Sequence, residues 1–154
     1  MALAGCHVNH EWSVRVRTDS CNGLTASARN HSWRVGEPIT FAPTDELPSA
    51  LEHAVGALAA DLIGSLRRIC KLRRIPVERA ELSLRWTLDN PLTYVGVVGE
   101  EGSPSISQIE GVLYVACFEE EQVRGAWQEA LDRSPLYATF SKAARVEVRL
   151  NVTT

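Results

Sequence analysis

The hydrophobic positions of this chain change period as it advances, and each change marks an element. From Trp12 apolar and polar residues alternate. Trp12, Val14 and Val16 face one way and Ser13, Arg15 and Arg17 the other, which predicts a half-buried strand. Thr18 to Gly23 is a turn, with Asn22-Gly23 the strongest hairpin signal in the chain. Leu24, Ala26 and Ala28 resume the alternation, and Trp33 and Val35 continue it past a break at Asn30. Gly36-Glu37-Pro38 is a second turn, and Ile39 to Phe41 reads as a short third strand. The N-terminal third is therefore an antiparallel meander. Residues 1–9 carry no period and are expected to fray.

The period then lengthens. Pro48 to Ile75 is the longest stretch without internal proline or turn signals, and it predicts the central helix. Leu51, Val55, Leu58, Leu62, Leu66, Ile69 and Leu72 recur at three- and four-residue steps and form its core stripe. Gly56, Ala60 and Gly64 form a second stripe of small residues, along which another backbone can approach closely. One carboxylate, Asp61, stands beside it. Ser49-x-x-Glu52 fits a capping box, which competes with a functional role for Glu52; Thr44 or Asp45 is an alternative cap. The helix ends basic, with Arg67, Arg68, Lys71, Arg73 and Arg74 before Pro76, where the dipole favours cations.

Alternation returns after Pro76. Ala80, Leu82, Leu84, Trp86 and Leu88 alternate with polar partners in the clearest strand of the sequence. Asp89-Asn-Pro91 turns, Tyr94 to Val98 reads as a short edge strand, and Gly99 to Pro104 is an exposed loop. Ile106 to Phe118 is a further strand. Acidic residues from Glu119 open a second helix carrying Val123, Trp127, Ala130 and Leu131 on one face, with Ser134-Pro135 as its stop. A linker from Leu136 to Ala144 leads to a closing strand, in which Val146, Val148, Leu150 and Val152 alternate with polar residues.

Composition narrows the function classes. A chain of 154 residues with 45% hydrophobic and 23% charged residues fits one soluble domain, residues 1–154. A net charge of −3 gives no bulk attraction to nucleic acid, and the basic helix end alone does not overturn that reading. No apolar run reaches the ~18–20 residues that span a bilayer. The N-terminus lacks a signal-peptide pattern, so a cytoplasmic location is expected. Four cysteines, Cys6, Cys21, Cys70 and Cys117, lack CxxC spacing and read as reduced thiols. Cys6, His7 and His10 form a CHxxH cluster, but no second ligand pair follows, so no metal and no cofactor is expected.

With these elements in this order, the chain resembles the OsmC/Ohr superfamily. Three stretches carry the likeness. Arg34-Val-Gly-Glu-Pro38 looks like the family's acidic-Pro turn. EHAVGALAADL, Glu52 to Leu62, looks like its central-helix motif. Arg133-Ser-Pro-Leu-Tyr137 with Val146-Glu-Val148 looks like its Cys-Pro segment and closing strand. The resemblance spans residues 12–152 and implies an α+β fold. It implies antiparallel N-terminal strands, a long central helix, a second strand set with a shorter helix, and an intertwined homodimer with pockets at its interface.

The departures change the chemistry. Relatives that reduce organic hydroperoxides use one cysteine on the central helix to attack and a second, before the proline, to resolve. Asp61 and Ser134 stand at those two positions. A carboxylate cannot become a sulfenic acid, nor a serine resolve one. Cys70 lies nine residues beyond Asp61, about half a turn away in angle. Arg67, Arg73 and Arg74 stand near it in sequence and can lower its pKa, while Cys117 reads as a core residue. Glu52 is also nine residues from Asp61, on the opposite face; His53 is nearer in angle but roughly 12 Å away along the axis. A buried Asp61 calls for a cation, with Arg29, Arg15 or Arg17 as candidates, because the family places an arginine beside its thiolate. The leading expectation is an OsmC-like protein without thiol peroxidase activity. It would bind a small, partly apolar ligand in an interface pocket near Glu52, His53, Asp61, Ser134 and Arg29, or be a degenerate stress-response relative. The alternatives are a peroxidase working through Cys70 or Cys117, and a non-redox enzyme using Asp61 as acid or base.

Overall fold

The computed structural model describes residues 11–18, 23–36 and 47–153, in two compact units, Met1–Leu51 and Glu52–Thr154. In the N-terminal unit, β1 (Arg15–Thr18), β2 (Leu24–Ala28) and β3 (His31–Val35) form an antiparallel sheet in that order. Val16 pairs with Ala26 and Ala26 with Trp33, so the three share one face. The alternation of β1 is real, but the strand is exposed on both faces, with Val16 at 56% and Val14 just before it at 61%. It is an edge strand of the three-stranded sheet. The expected third strand at Ile39 to Phe41, the helix caps Thr44 and Asp45, and the cluster Cys6, His7 and His10 lie outside the described residues.

The predicted central helix is α1, Ala50–Arg73. Its inner stripe is buried at Val55, Leu58, Leu62, Leu66, Ile69 and Cys70. Leu72, expected on that stripe, is 73% exposed. It follows Cys70 and Lys71 in the last turn, where the chain is leaving the core for Ile75. The outer stripe of Gly56, Ala57, Ala60 and Gly64 is exposed, and a Cβ at Gly56 or Gly64 would meet no atom within 4 Å.

The second sheet supplies the surface that α1 covers. β4 (Arg79–Leu88) pairs antiparallel with β5 (Ile106–Ala116), which pairs parallel with β6 (Arg145–Thr153). The registers align whole rows: Leu82, Leu113 and Leu150 side by side, then Trp86, Ile109 and Val146. All belong to the apolar cluster or pack on it, while the alternate rows present Arg85, Glu110 and Glu147 to solvent. That is the period of two converted into a two-faced sheet. Gly111 interrupts the inner face because a Cβ there would run into the carbonyl oxygen of Ser83.

Two connections differ from the sequence reading. Tyr94 to Val98 is not a strand. Asn90, at φ 48°, turns the chain into a short helix, α2 (Pro91–Tyr94), and local hydrogen bonds such as Val95 N to Pro91 O (3.2 Å) consume the backbone groups a ladder would need. The excursion is closed at its neck, where Asp89 N donates to Ser105 O at 2.8 Å. The parallel β5–β6 pair requires a long crossover, supplied by α3 (Glu120–Arg133) and α4 (Pro135–Phe140). The expected linker from Leu136 is thus helical in its first half. Val123, Ala126, Trp127 and Ala130 of α3 complete the core, and Glu129 joins Arg73 of α1 to Arg133.

Two leucines separate core from surface on one helix. Leu62→Ala removes a fully buried side chain and is expected to cost about 3 kcal/mol in urea unfolding. Leu72→Ala is expected to stay within about 0.5 kcal/mol.

Candidate functional site

Asp61 points from the middle of α1 toward the junction of α3 and α4. There it meets Ser134, the residue that ends one helix and begins the next. The Ser134 hydroxyl donates to Asp61 Oδ2 at 2.5 Å. The same carboxylate oxygen accepts from Leu136 N at 3.3 Å. Ser134 Oγ in turn accepts from Tyr137 N at 3.0 Å, and Ser134 O accepts from Ala138 N at 3.0 Å. Pro135 has no N–H to satisfy. Every donor in the first turn of α4 therefore has a partner, and two of the acceptors are the side chains of Asp61 and Ser134.

This arrangement fixes what the pair can do. Ser134 is 1% exposed, and its oxygen is engaged both as donor and as acceptor. Its hydroxyl is closed to solvent in this conformation. Asp61 is only partly buried, and among the described residues its Oδ1 has no hydrogen-bond partner. The pair thus combines a closed half, which ties α4 to α1, with one available carboxylate oxygen. A hydrogen bond to a charged group contributes roughly 1.5–3 kcal/mol.

Glu52 and His53 stand two turns or more before Asp61 on α1. Glu52 is exposed in the first turn of α1. His53 is partly buried, and its Nε2 is enclosed without a partner among the described residues. Arg29 belongs to the N-terminal unit, where it occupies the β2–β3 turn at φ 53°; Arg15 and Arg17 lie on β1 of that unit. Leu136, whose N–H shares the carboxylate, is not among the predicted site residues, because the sequence reads it as the start of a linker. The signal for it is Ser-Pro, read there as a helix stop, which is equally a helix start with serine as cap and proline first.

The two described cysteines are free and buried. Burial pushes the Cys70 thiol up, and the neighbouring Cys117 pushes the same way; Arg73 pulls down without prevailing. The lowering that Arg73 offers is outweighed by desolvation. Burial likewise pushes Cys117 up, against the Glu119 backbone N–H, which donates to its sulfur at 3.4 Å. Among the described residues no cluster of His, Cys, Asp and Glu could hold a metal ion, and no helix is long and apolar enough to cross a membrane.

No protein-family model matches the sequence, and neither does any curated protein. Solved structures do match. An OsmC-like protein from Mycoplasma pneumoniae superposes with a TM-score of 0.76 at 10% identity, covering 96% of this chain and 100% of its own. An organic hydroperoxide resistance protein OsmC from Legionella pneumophila gives 0.69 at 8% identity over 94% and 98%. The organic hydroperoxide resistance protein OhrB of Bacillus subtilis gives 0.62 at 15% identity over 92% and 98%. At these identities the likeness is one of fold.

Ser134→Ala removes both the donor to Asp61 and the cap of α4. The expected loss is about 2–3 kcal/mol in chemical denaturation, and a cycle with Asp61→Ala should return a coupling of at least ~1 kcal/mol. The thiols predict a pH dependence of opposite sense to that of paired carboxylates. Their folded pKa values lie above the unfolded ones, so their contribution is complete below the ordinary thiol pKa and is lost as pH rises through the folded value. Stability measured by thermal melting should fall as pH is raised above about 8.5, and the fall should shrink in Cys70→Ala.

Proposed function

We propose that this chain, which has the OsmC-like fold, is a relative of those proteins that lacks thiol peroxidase activity. It binds a small, partly apolar ligand in a pocket completed by a second copy of itself. The observation that carries this reading is the 2.5 Å hydrogen bond between Asp61 and Ser134. By resemblance these positions belong to the attacking and resolving sulfurs, and here an acid and an alcohol meet instead. The buried, protonation-favouring settings of Cys70 and Cys117 argue against a substitute thiol.

Two features support a second copy. α1 leaves Gly56, Ala57, Ala60 and Gly64 uncovered, with open space at both glycines. The N-terminal sheet leaves Val14, Val16 and Trp33 exposed. Apolar and small surfaces of this extent on a single chain call for a partner. Asp61 Oδ1, which has no hydrogen-bond partner among the described residues, supports a ligand that carries a hydrogen-bond donor. In this reading the two units belong to one domain, Glu52, His53 and Arg29 line the pocket of the assembled pair, and the protein is a cytoplasmic stress-response relative.

The test is consumption of cumene hydroperoxide with dithiothreitol as reductant. The expected rate equals the protein-free blank. Turnover that disappears in Cys70→Ser or Cys117→Ser overturns the reading. Light scattering at micromolar concentration should give twice the mass of the chain, and a stable monomer would remove the second copy from the proposal.

A further inference from the structure

Two features of the larger unit carry opposite charge over like apolar ground. One is a groove of about 470 Å³ beside the last turns of α1, with Arg67, Arg68 and Lys71 at its rim and Cys70, Ile75 and Val77 beneath. The other is the tip of the β4–β5 connection, residues 95–101, which presents Val95, Val97, Val98, Glu100 and Glu101 to solvent. We propose that the tip of one copy docks in the groove of a second copy, and the reverse, so that the pair is locked at two equivalent places. The contact rests on the second copy already proposed and is independent of peroxidase activity.

Neither side is neutralised within its own chain. Arg73, Arg79, Arg124, Arg133 and Arg145 each pair with a glutamate. Arg67 and Lys71 make no hydrogen bond or ion pair among the described residues, and Arg68 reaches only Ser65 Oγ, at 3.5 Å. The side chains of Glu100 and Glu101 are equally without a hydrogen bond or ion pair among the described residues. Val98, at 98%, is the most exposed large hydrophobic side chain described, and Val95 and Val97 stand beside it. An apolar tip of this kind calls for cover. Seated in the groove, the valines meet Ile75 and Val77, and the two carboxylates meet guanidinium groups that can bond them by paired N–H donors.

One chain does not fill its own groove. α1 has 24 residues and is about 36 Å long. Arg74, at φ 57°, ends it and turns the chain into β4, whose 10 residues run back over about 33 Å. The tip therefore emerges toward the start of α1, and the groove lies at its end. The stripe of small residues reads alike in both directions from Ala60, with Gly56 four positions before it and Gly64 four after. A two-fold axis across α1 at Ala60 sets Gly56 of one copy beside Gly64 of the other and runs the two helices antiparallel. Ala50 and Lys71 lie about 15 and 17 Å from that axis along their helix. The start of one α1 then falls beside the end of the other, which brings each tip to the opposite groove. A Cβ at Gly64, at the mouth of the groove, would meet no atom of its own chain within 4 Å.

Analytical ultracentrifugation of the full chain with exchanged charges tests this. Glu100→Lys/Glu101→Lys and Arg67→Glu/Lys71→Glu should each raise the dimer dissociation constant at least tenfold while keeping the circular dichroism of the unaltered chain. Val98→Ser, which removes no core contact, should raise it at least threefold. Mixed in equal amounts, the two charge variants should form heterodimers of near-original affinity, because each tip then meets a groove of opposite charge. A chain carrying all four charge substitutions should dimerise within threefold of the original. An unaltered chain that dimerises, with an affinity that none of these substitutions changes, overturns the contact and leaves the second copy standing. Loss of the dimer in both charge variants without recovery on mixing overturns it as well. A monomer at micromolar concentration in the unaltered chain removes the contact together with the second copy.

Discussion

The burial of one side of α1 against one side of a three-stranded sheet is the constraint on which the larger unit depends. Leu58, Leu62 and Leu66 are fully enclosed, and they meet rows of the sheet whose register places apolar residues abreast on three strands. Each fully buried side chain contributes roughly 1.5–3 kcal/mol. With the inner stripe fixed, the rotation of the helix is fixed too. Asp61, one residue before Leu62, then has no freedom to turn into the core or fully away from it.

That rotation gives the carboxylate its role. It arrives where α3 ends and α4 begins, and it completes a cap that Ser134 alone would leave one donor short. The geometry brings together an acceptor and a donor that hold two segments in place and join α1 to the crossover.

Much of this was legible in the sequence because the signals were periodic. The alternation of Ala80 to Leu88 and of Val146 to Val152 specifies two-faced strands, and the stripe through Leu58, Leu62 and Leu66 specifies the buried helix. What was lost lacked a period. Tyr94 to Val98 looked like a strand by composition, yet a proline preceded by a left-handed Asn90 starts a helical turn there. Leu136 to Phe140 looked like a linker because Ser-Pro was read in one direction only. The Asp61–Ser134 contact spans 73 positions of sequence, and only the resemblance, not any spacing, pointed to the two residues together. The direction in which the Cys70 thiol shifts is set by its burial, which a string of letters does not show, while its charged neighbours are plain there.

The two glycines on the outer side of α1 have a consequence in the language of energy landscapes. Gly56 and Gly64 stand in the interior of a 24-residue helix with open space before them. Relative to alanine each weakens the helix by about 1 kcal/mol, and nothing in the single chain is relieved by their small size. They are points of local frustration on an element that is otherwise consistent with its surroundings. The inner side of the helix is governed by volume, where every methylene is felt. The outer side makes none of those core contacts among the described residues. Two sides of one helix thus carry unequal weight in the folding of one copy.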